Sequence, residues 1–204
     1  MGQYYRVLEK ENSKKFIVYN RNIIVDGKEE YTMAKLTEHS WWFNPFVNAI
    51  CEKIYNNKHS RIIWMGDYTD QFASNLEDKH NGLTKAKIKA YHKKCWDDTH
   101  NTIAIPTTEF TLDGKYLINH TKHEYINCST YYKECEMNDS WCMHPLPLLT
   151  CIGNGYGGGD YRNPTLGSST ELIGMWAWDE ISIDDEPISD YTEIFPIFKE
   201  EGWE

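Results

Sequence analysis

Apolar residues in this chain occur in short runs, and a turn signal closes most of them. Such runs lie at residues 15–25, 61–65, 146–152 and 172–183. None of them approaches the roughly 18–20 residues that a membrane-spanning helix needs. Because 204 residues correspond to about one domain and 14% of them are aromatic, we expect one globular domain over residues 1–204.

Turn-forming pairs divide the chain into predicted hairpins. Asp26-Gly27 and Asp113-Gly114 favour tight turns, because the central positions of a two-residue hairpin turn require positive φ. The flanking strands are expected at residues 15–25 with 31–33, and at 107–112 with 115–119. Further strands are expected at residues 61–65, 123–128 and 172–183.

Two segments have the features of amphipathic helices. Asn44 is a favourable N-cap and Pro45 a favourable first helical residue, so a helix is predicted from there to Asn56-Asn57. Residues 84–96 predict a second helix, with lysines along its outer side. Two or three helices packed on an antiparallel or mixed sheet give an α+β fold.

Charge is distributed unevenly along the chain. Residues 171–204 hold 11 acidic side chains and one basic one, so the formal net charge of -10 lies entirely in this acidic C-terminal segment. Interleaved isoleucine and phenylalanine residues indicate that the segment is folded, and a solvated, solubilising tail is the alternative. Such a segment repels polyanions and attracts basic surfaces. It therefore predicts a basic protein partner and no direct DNA binding through this end.

Cysteine spacing and the first residues bear on the compartment. Six cysteines occur at residues 51, 95, 128, 135, 142 and 151. No pair has the short spacing of a zinc knuckle, so free buried thiols are expected. Residues 1–6 contain no apolar signal core. We therefore expect a cytoplasmic protein without membrane association.

The corner at Gly66–Asp70 is the first candidate for chemistry. Asp67 and Asp70 follow directly after a predicted buried strand, where carboxylates are held rigidly beside a cleft. Both are candidate catalytic residues, and together they are candidate oxygen ligands of a divalent cation. The alternative is structural, with Asp70 capping a turn or a helix.

A glycine-rich segment at residues 153–162 is the second candidate. Its spacing matches Gly-x-Gly-x-x-Gly, but neither a βαβ unit nor a following helix accompanies it, so a dinucleotide site is not predicted. Closely spaced glycines let the backbone approach an anionic ligand, and we expect this segment to share a cavity with the corner at Gly66–Asp70. A flexible hairpin tip is the alternative. The ligand-binding residues expected here are Gly155, Gly157, Gly158, Gly159, Asp160 and Arg162.

Two histidines are further candidates for proton transfer. His39 follows a glutamate, and His144 precedes Pro145, which fixes its backbone. With Asp67, these side chains supply the acid and the base that phosphoester chemistry requires. For each histidine a structural role is the alternative.

Aromatic residues occur as near-neighbour pairs at residues 4 and 5, 41 and 42, and 176 and 178. Neighbouring strand positions face opposite ways, so one ring of each pair is expected in the core. The other ring is then available to stack on a base. Tyr5 and Trp176 are the two rings assigned to ligand binding.

Several short motifs occur in an order that resembles a known family. They are Gly2-Gln-Tyr-Tyr5, Lys35-Leu-Thr-Glu-His-Ser40, Gly66-Asp-Tyr-Thr-Asp70, Asn119-His-Thr-Lys122, His144-Pro-Leu-Pro-Leu-Leu-Thr150 and Gly157-Gly-Gly-Asp-Tyr161. The chain resembles, up to about residue 183, a family of small uncharacterised proteins encoded by phages, prophages and gut-type bacteria. The resemblance implies an accessory protein of a mobile element that works in the bacterial cytoplasm, and it implies no activity.

Two functional hypotheses follow. The first is a non-enzymatic, phage-type accessory protein, such as an anti-CRISPR or other anti-defence inhibitor. It would either sequester a small nucleotide ligand or block a basic bacterial defence protein with its acidic segment. The alternative is a nucleotide or phosphoester hydrolase or transferase that uses Asp67 and Asp70 with His144 and a glycine-rich phosphate loop. A plain interaction module of a mobile element is a third possibility.

Overall fold

One mixed β-sheet organises the chain. The computed structural model describes residues 3–10, 15–25, 28–32, 34–72, 82–97, 102–137, 143–153 and 172–196. Within these ranges the ten strands are β1 (Tyr5–Lys10), β2 (Phe16–Val25), β3 (Lys28–Thr32), β4 (Ser60–Gly66), β5 (Thr102–Ile105), β6 (Tyr116–Asn119), β7 (Glu124–Asn127), β8 (Cys151–Ile152), β9 (Glu180–Asp184) and β10 (Thr192–Glu193). Their order is β10-β7-β6-β9-β4-β1-β2-β3, with β5 paired to β2 and β8 paired to β4.

The helices cover both faces of this sheet. In the described residues they are α1 (Leu36–His39), α2 (Pro45–Asn57), α3 (Lys85–Trp96), α4 (Cys128–Met137), α5 (Pro145–Thr150) and a 3-10 helix at Thr69–Phe72. The α+β class and the mixed sheet of a single domain are confirmed, but the predicted number of helices is too low. Within the same ranges, none of these helices has the length and apolar character needed to cross a bilayer.

Strand β4 lies at the centre of the core because both of its faces are covered. Ile62 and Trp64 pack in the cluster that contains the buried residues of α2, α4 and α5. Ile63 and Met65 pack in a second cluster, with the buried residues of α3. Successive strand residues face opposite ways, so this double burial explains why the run is continuously apolar instead of alternating.

Helix α2 begins and ends where its sequence predicts. The Asn44 side chain accepts hydrogen bonds from the backbone N–H groups of Phe46 and Val47, at 3.0 and 3.4 Å, and Pro45 is the first helical residue. These contacts satisfy two N–H groups that have no partner inside the helix. Helix α3 likewise begins after a cap, at which Thr84 accepts from the N–H of Lys87.

The first predicted hairpin is confirmed, and its return strand begins earlier than expected. Val25 pairs with Lys28 in the antiparallel β2–β3 ladder. The turn residues Asp26-Gly27 lie outside the described residues. The predicted strands at residues 61–65 and 123–128 correspond to β4 and β7.

One predicted strand is wrong, and a second, at residues 172–183, is correct only from Glu180 onward. Residues 107–112 form no strand, and β6 pairs instead with β7 and β9. Residues 172–178 form turns, in which Gly174 and Trp178 have φ of 69° and 67°. Left-handed backbone of this kind interrupts an extended strand, so β9 begins only at Glu180.

Glu9 of β1 is a buried carboxylate with a complete set of partners. Only 1% of the residue is exposed. It accepts hydrogen bonds from the Tyr19 hydroxyl at 2.6 Å, the Ser60 hydroxyl at 2.8 Å and the Asn57 amide at 2.9 Å. A charge this deep is tolerated only when donors replace the water it has lost. Glu9 therefore joins β2, the end of α2 and the start of β4.

Candidate functional site

The Gly66–Asp70 corner lies at the carboxyl end of β4, as predicted. Strand β8 runs parallel to β4, with Met65 opposite Ile152, so the segments that follow both strands leave the sheet at the same edge. The Thr69 hydroxyl donates to the Ile152 carbonyl at 2.8 Å. The residue that precedes the glycine-rich segment therefore lies beside this corner.

Backbone contacts hold the corner in place. The Asp67 N–H donates to the Tyr4 carbonyl at 2.9 Å, and the Asp67 carboxylate accepts from the Tyr4 N–H at 3.2 Å. His92 of α3 reaches the same corner and donates from Nε2 to the Asp67 carbonyl at 2.9 Å. The same nitrogen lies 3.6 Å from the Asp70 carboxylate. Asp67 thus has a structural partner, and the Asp70 side chain is 44% exposed.

The electrostatics of the corner reflect its partial burial. Burial raises the pKa of the Asp67 carboxyl above its ordinary value, and the hydrogen bond from Tyr4 opposes that rise. Within the described ranges, no group of three His, Cys, Asp or Glu side chains is arranged to hold a metal ion. Among the described residues, Asp67 and Asp70 therefore have no third His, Cys, Asp or Glu side chain placed to complete the divalent-cation site that the sequence suggested.

Gly66 is required at the corner because of close packing. A Cβ atom at this position would lie 2.3 Å from Nε2 of Gln3 and 3.1 Å from the Thr69 hydroxyl. We expect Gly66→Ala to destabilise the fold by about 1–3 kcal/mol, the usual effect of overpacking a buried site. Urea unfolding measures the loss.

The same substitution in a Gln3→Ala background provides the control. Removing the Gln3 side chain opens the space that the new methyl group needs, so Gly66→Ala should then destabilise by much less. An equal loss in both backgrounds would contradict the assignment of the clash to Gln3.

His144 is a helix cap and not a proton-transfer group at a cleft. Its Nδ1 accepts from the Leu146 N–H at 3.1 Å at the start of α5, and its Nε2 lies 3.7 Å from the Cys51 sulfur. Its ring stacks on Trp42, and only 1% of the residue is exposed. Burial lowers the pKa of His144 to about 3, so the ring is neutral at physiological pH. The structure therefore replaces the catalytic assignment with a structural one.

His39 also has a local structural contact. Its Nδ1 accepts from the Lys35 N–H at 3.1 Å, across α1. Burial lowers the pKa of His39, and the charge of Arg21 adds to that effect. His39 belongs to α1 and His144 caps α5. The histidine that contacts the Gly66–Asp70 corner is His92 of α3.

One ring of each aromatic pair is buried, as expected, but the buried rings are the ones assigned to ligand binding. Tyr5 and Trp176 are 1% and 0% exposed, so they are core residues. The Tyr5 hydroxyl donates to Gln3 at 3.0 Å, and the Trp176 indole donates to Glu124 at 2.8 Å. Tyr4 is the exposed partner of Tyr5 and lies at the Asp67 corner.

The glycine-rich part of the predicted site lies outside the described residues. This applies to Gly155, Gly157, Gly158, Gly159, Asp160 and Arg162. The expected cavity between this segment and the Gly66–Asp70 corner remains a prediction.

A surface groove that the sequence did not predict lies between α4 and the turn before α2. Its volume is about 420 Å³, within the range of small-ligand sites. We call it the aromatic groove. It is lined by Trp42, Phe43, Thr111, Asp113, Ser129, Tyr132, Lys133 and Glu136.

Three rings form the apolar part of the aromatic groove. Trp42 and Tyr132 are stacked with centroids 5.5 Å apart, and Phe43 meets Tyr132 edge-on at 5.1 Å. Phe43 is 49% exposed and has a φ of 69°, a left-handed conformation that is strained for a bulky residue. The turn thus keeps the large apolar ring of Phe43 exposed to solvent.

The described part of the acidic segment, residues 172–196, is folded and is partly neutralised by other parts of the chain. Asp185 pairs with Lys115 at 2.7 Å, and Glu180 pairs with Arg61 at 2.8 Å. A longer contact of 3.4 Å joins Asp184 to Lys58. The charge excess of the sequence is therefore smaller on the folded surface of this segment.

Three carboxylates of the segment lie exposed around its last strand. We call Glu186, Asp190 and Glu193 the acidic edge. Glu193 belongs to β10, which is the end strand of the sheet order and pairs with β7. Phe195 follows directly and is 40% exposed. The described part of the segment, residues 172–196, contains no lysine or arginine.

Comparisons with known proteins give no family assignment. No family model, no curated protein and no solved structure matches the chain.

Proposed function

We propose that this chain is a non-enzymatic binding protein of phage accessory type, which uses its acidic edge to cover a basic surface of a bacterial defence protein. The observation that carries the proposal is the folded acidic edge. Glu186, Asp190 and Glu193 lie exposed within eight residues of one another, next to an exposed phenylalanine.

Charge and geometry both support this assignment over catalysis. Exposed carboxylates on a folded segment attract lysine- and arginine-rich surfaces and speed the encounter with them. An exposed aromatic ring beside such charges is the kind of residue that contributes most to protein interfaces. In contrast, His144 is buried as a helix cap, and one Asp67 oxygen accepts from the Tyr4 backbone. These contacts favour a structural role for His144, the residue to which the hydrolase alternative assigns proton transfer.

Phage plating on bacteria that carry a defence system tests the proposal. Strains with one nuclease-based defence system each are infected with and without the expressed chain. We expect the chain to raise plating efficiency on at least one strain. The variant Glu186→Gln/Asp190→Asn/Glu193→Gln should lose this effect, because it removes three exposed charges without touching the core.

A charge-matched control separates the acidic edge from net charge. The variant Glu52→Gln/Asp97→Asn/Glu109→Gln removes the same number of charges elsewhere, so it should protect phage as well as the unmodified chain. With the purified target, affinity should fall as salt rises, because exposed charges are screened. Equal protection by both variants, or none by the unmodified chain on any strain, would overturn the proposal.

A further inference from the structure

We propose that the aromatic groove binds an arginine side chain of the basic partner. The inference rests on the proposed function, because it names the pocket that would anchor the same partner. It adds a defined site with a defined ligand chemistry to a surface that otherwise acts through charge alone.

The lining of the groove has the two components that a guanidinium group recognises. The first is an aromatic wall formed by Trp42, Phe43 and Tyr132, in which the 49% exposed Phe43 ring offers a face on which a planar cation stacks. The second is a pair of exposed carboxylates, Asp113 and Glu136.

Both carboxylates are oriented and retain acceptor capacity. One oxygen of Asp113 accepts from the Ser129 hydroxyl at 2.7 Å, and one oxygen of Glu136 accepts from the Tyr132 hydroxyl. These contacts leave the second oxygen of each carboxylate for a ligand. Because a guanidinium group donates from a planar fork, two fixed carboxylates beside a ring match its geometry.

Charge decides against an anionic ligand in the same groove. Lys133 is the single base among the lining residues and stands against two acids, Asp113 and Glu136. A nucleotide phosphate would be repelled by this surrounding, whereas an organic cation is attracted.

The strained conformation of Phe43 indicates why the turn is built in this way. A left-handed backbone is unfavourable for an aromatic residue, and such outliers concentrate at binding sites. Here the turn between Trp42 and the Asn44 cap directs the Phe43 ring to the rim of the groove, where it contacts Tyr132. The exposed Phe43 ring therefore lines the groove and does not belong to the core.

The groove and the acidic segment pack against each other through α4. Tyr131 stacks with Trp42 on one side and contacts Phe195 at 5.6 Å on the other. Its hydroxyl donates to the Pro196 carbonyl at 3.1 Å. On the other side of the groove, Asp113 lies two residues from Lys115, which pairs with Asp185. One partner can therefore contact the groove and the acidic segment together.

Calorimetric titration with blocked tetra-arginine and tetra-lysine peptides tests the inference. We expect the arginine peptide to bind more tightly, because lysine neither stacks flat nor donates from a fork. Phe43→Asn should weaken arginine binding about tenfold while it leaves lysine binding nearly unchanged. Asparagine tolerates left-handed backbone, so this variant should keep its thermal stability.

A control variant and an alternative ligand, adenosine, decide how the peptide titrations are interpreted. Ile103→Ala removes another exposed hydrophobic side chain and should not alter peptide binding. Equal affinity for the two peptides, or no effect of Phe43→Asn, would overturn the arginine pocket. Binding of adenosine that Phe43→Asn abolishes, without any preference for arginine, would also overturn it and assign the groove to a base.

The acidic-edge variant separates this inference from the proposed function. If that variant weakens binding of both peptides while Phe43→Asn has no effect, the pocket is wrong and the acidic surface stands. If neither variant alters peptide binding, and the acidic-edge variant protects phage as well as the unmodified chain does, both the arginine pocket and the proposed function are wrong.

Discussion

Replacing Glu9 with alanine should destabilise the fold by about 3–5 kcal/mol. The substitution removes the common acceptor of Tyr19, Asn57 and Ser60, of which the Tyr19 and Ser60 side chains are buried. Each buried donor without a partner costs about 1–3 kcal/mol, and the lost volume adds to this. Urea unfolding at neutral pH measures the change, which is large against a typical domain stability of about 5–15 kcal/mol.

Glu9→Gln is the matched control. Its carbonyl oxygen can accept from Asn57 and Ser60, and its amide can donate to the Tyr19 hydroxyl oxygen, so most of the network survives. We expect a loss of about 1 kcal/mol. If the glutamine and alanine variants lose the same free energy of unfolding, the hydrogen bonds to Glu9 do not carry the stability assigned to them.

The second large effect concerns pH and depends on His144. Burial lowers the pKa of His144 from an ordinary 6.5 to about 3 in the folded chain. In the unfolded chain, His144 is therefore protonated near pH 6.5, whereas in the folded chain it is protonated only near pH 3. The contribution of His144 to the free energy of unfolding is fully present above about pH 6.5 and is lost as the pH falls toward about 3. Between about pH 7 and about pH 4 the loss should be roughly 3 kcal/mol.

The variant His144→Asn isolates this contribution. Asparagine caps a helix well and does not titrate, so it keeps the contact to Leu146 and removes the proton. Its free energy of unfolding should fall less than that of the unmodified chain on acidification, whatever its value at neutral pH. Carboxyl groups titrate equally in both proteins and cancel in the comparison. Parallel pH profiles for the two proteins would show that His144 is accessible to protons in the folded state.

Local signals predicted the parts of the fold that local chemistry determines. Asn44 and Pro45 define the start of α2 by capping geometry alone, and the apolar run ending at Gly66 defines β4. Helix α4 was missed although its signal is present. Cys128, Tyr131 and Cys135 are buried at spacings of three and four, which is the spacing of one helix face.

The pairing of strands and the sites depend on contacts that are distant in sequence. Residues 107–112 have strand-like composition, yet the neighbours of β6 are β7 and β9. The location of the Gly66–Asp70 corner was predictable because it depends on one strand end. The aromatic groove was not, because its rings come from residues 42–43 and 132, which only the folded chain brings together. The sequence also identified the aromatic pairs but not which member of each is buried.

The position of β9 has a consequence for how the protein is made. This strand lies between β4 and β6, so residues 180–184 connect the two halves of the sheet. Until these residues have left the ribosome, β4 and β6 each have one unpaired edge. Unpaired strand edges pair readily with other chains. The two halves can therefore join only after β9 has been synthesised, and we expect the nascent chain to depend on a chaperone until then.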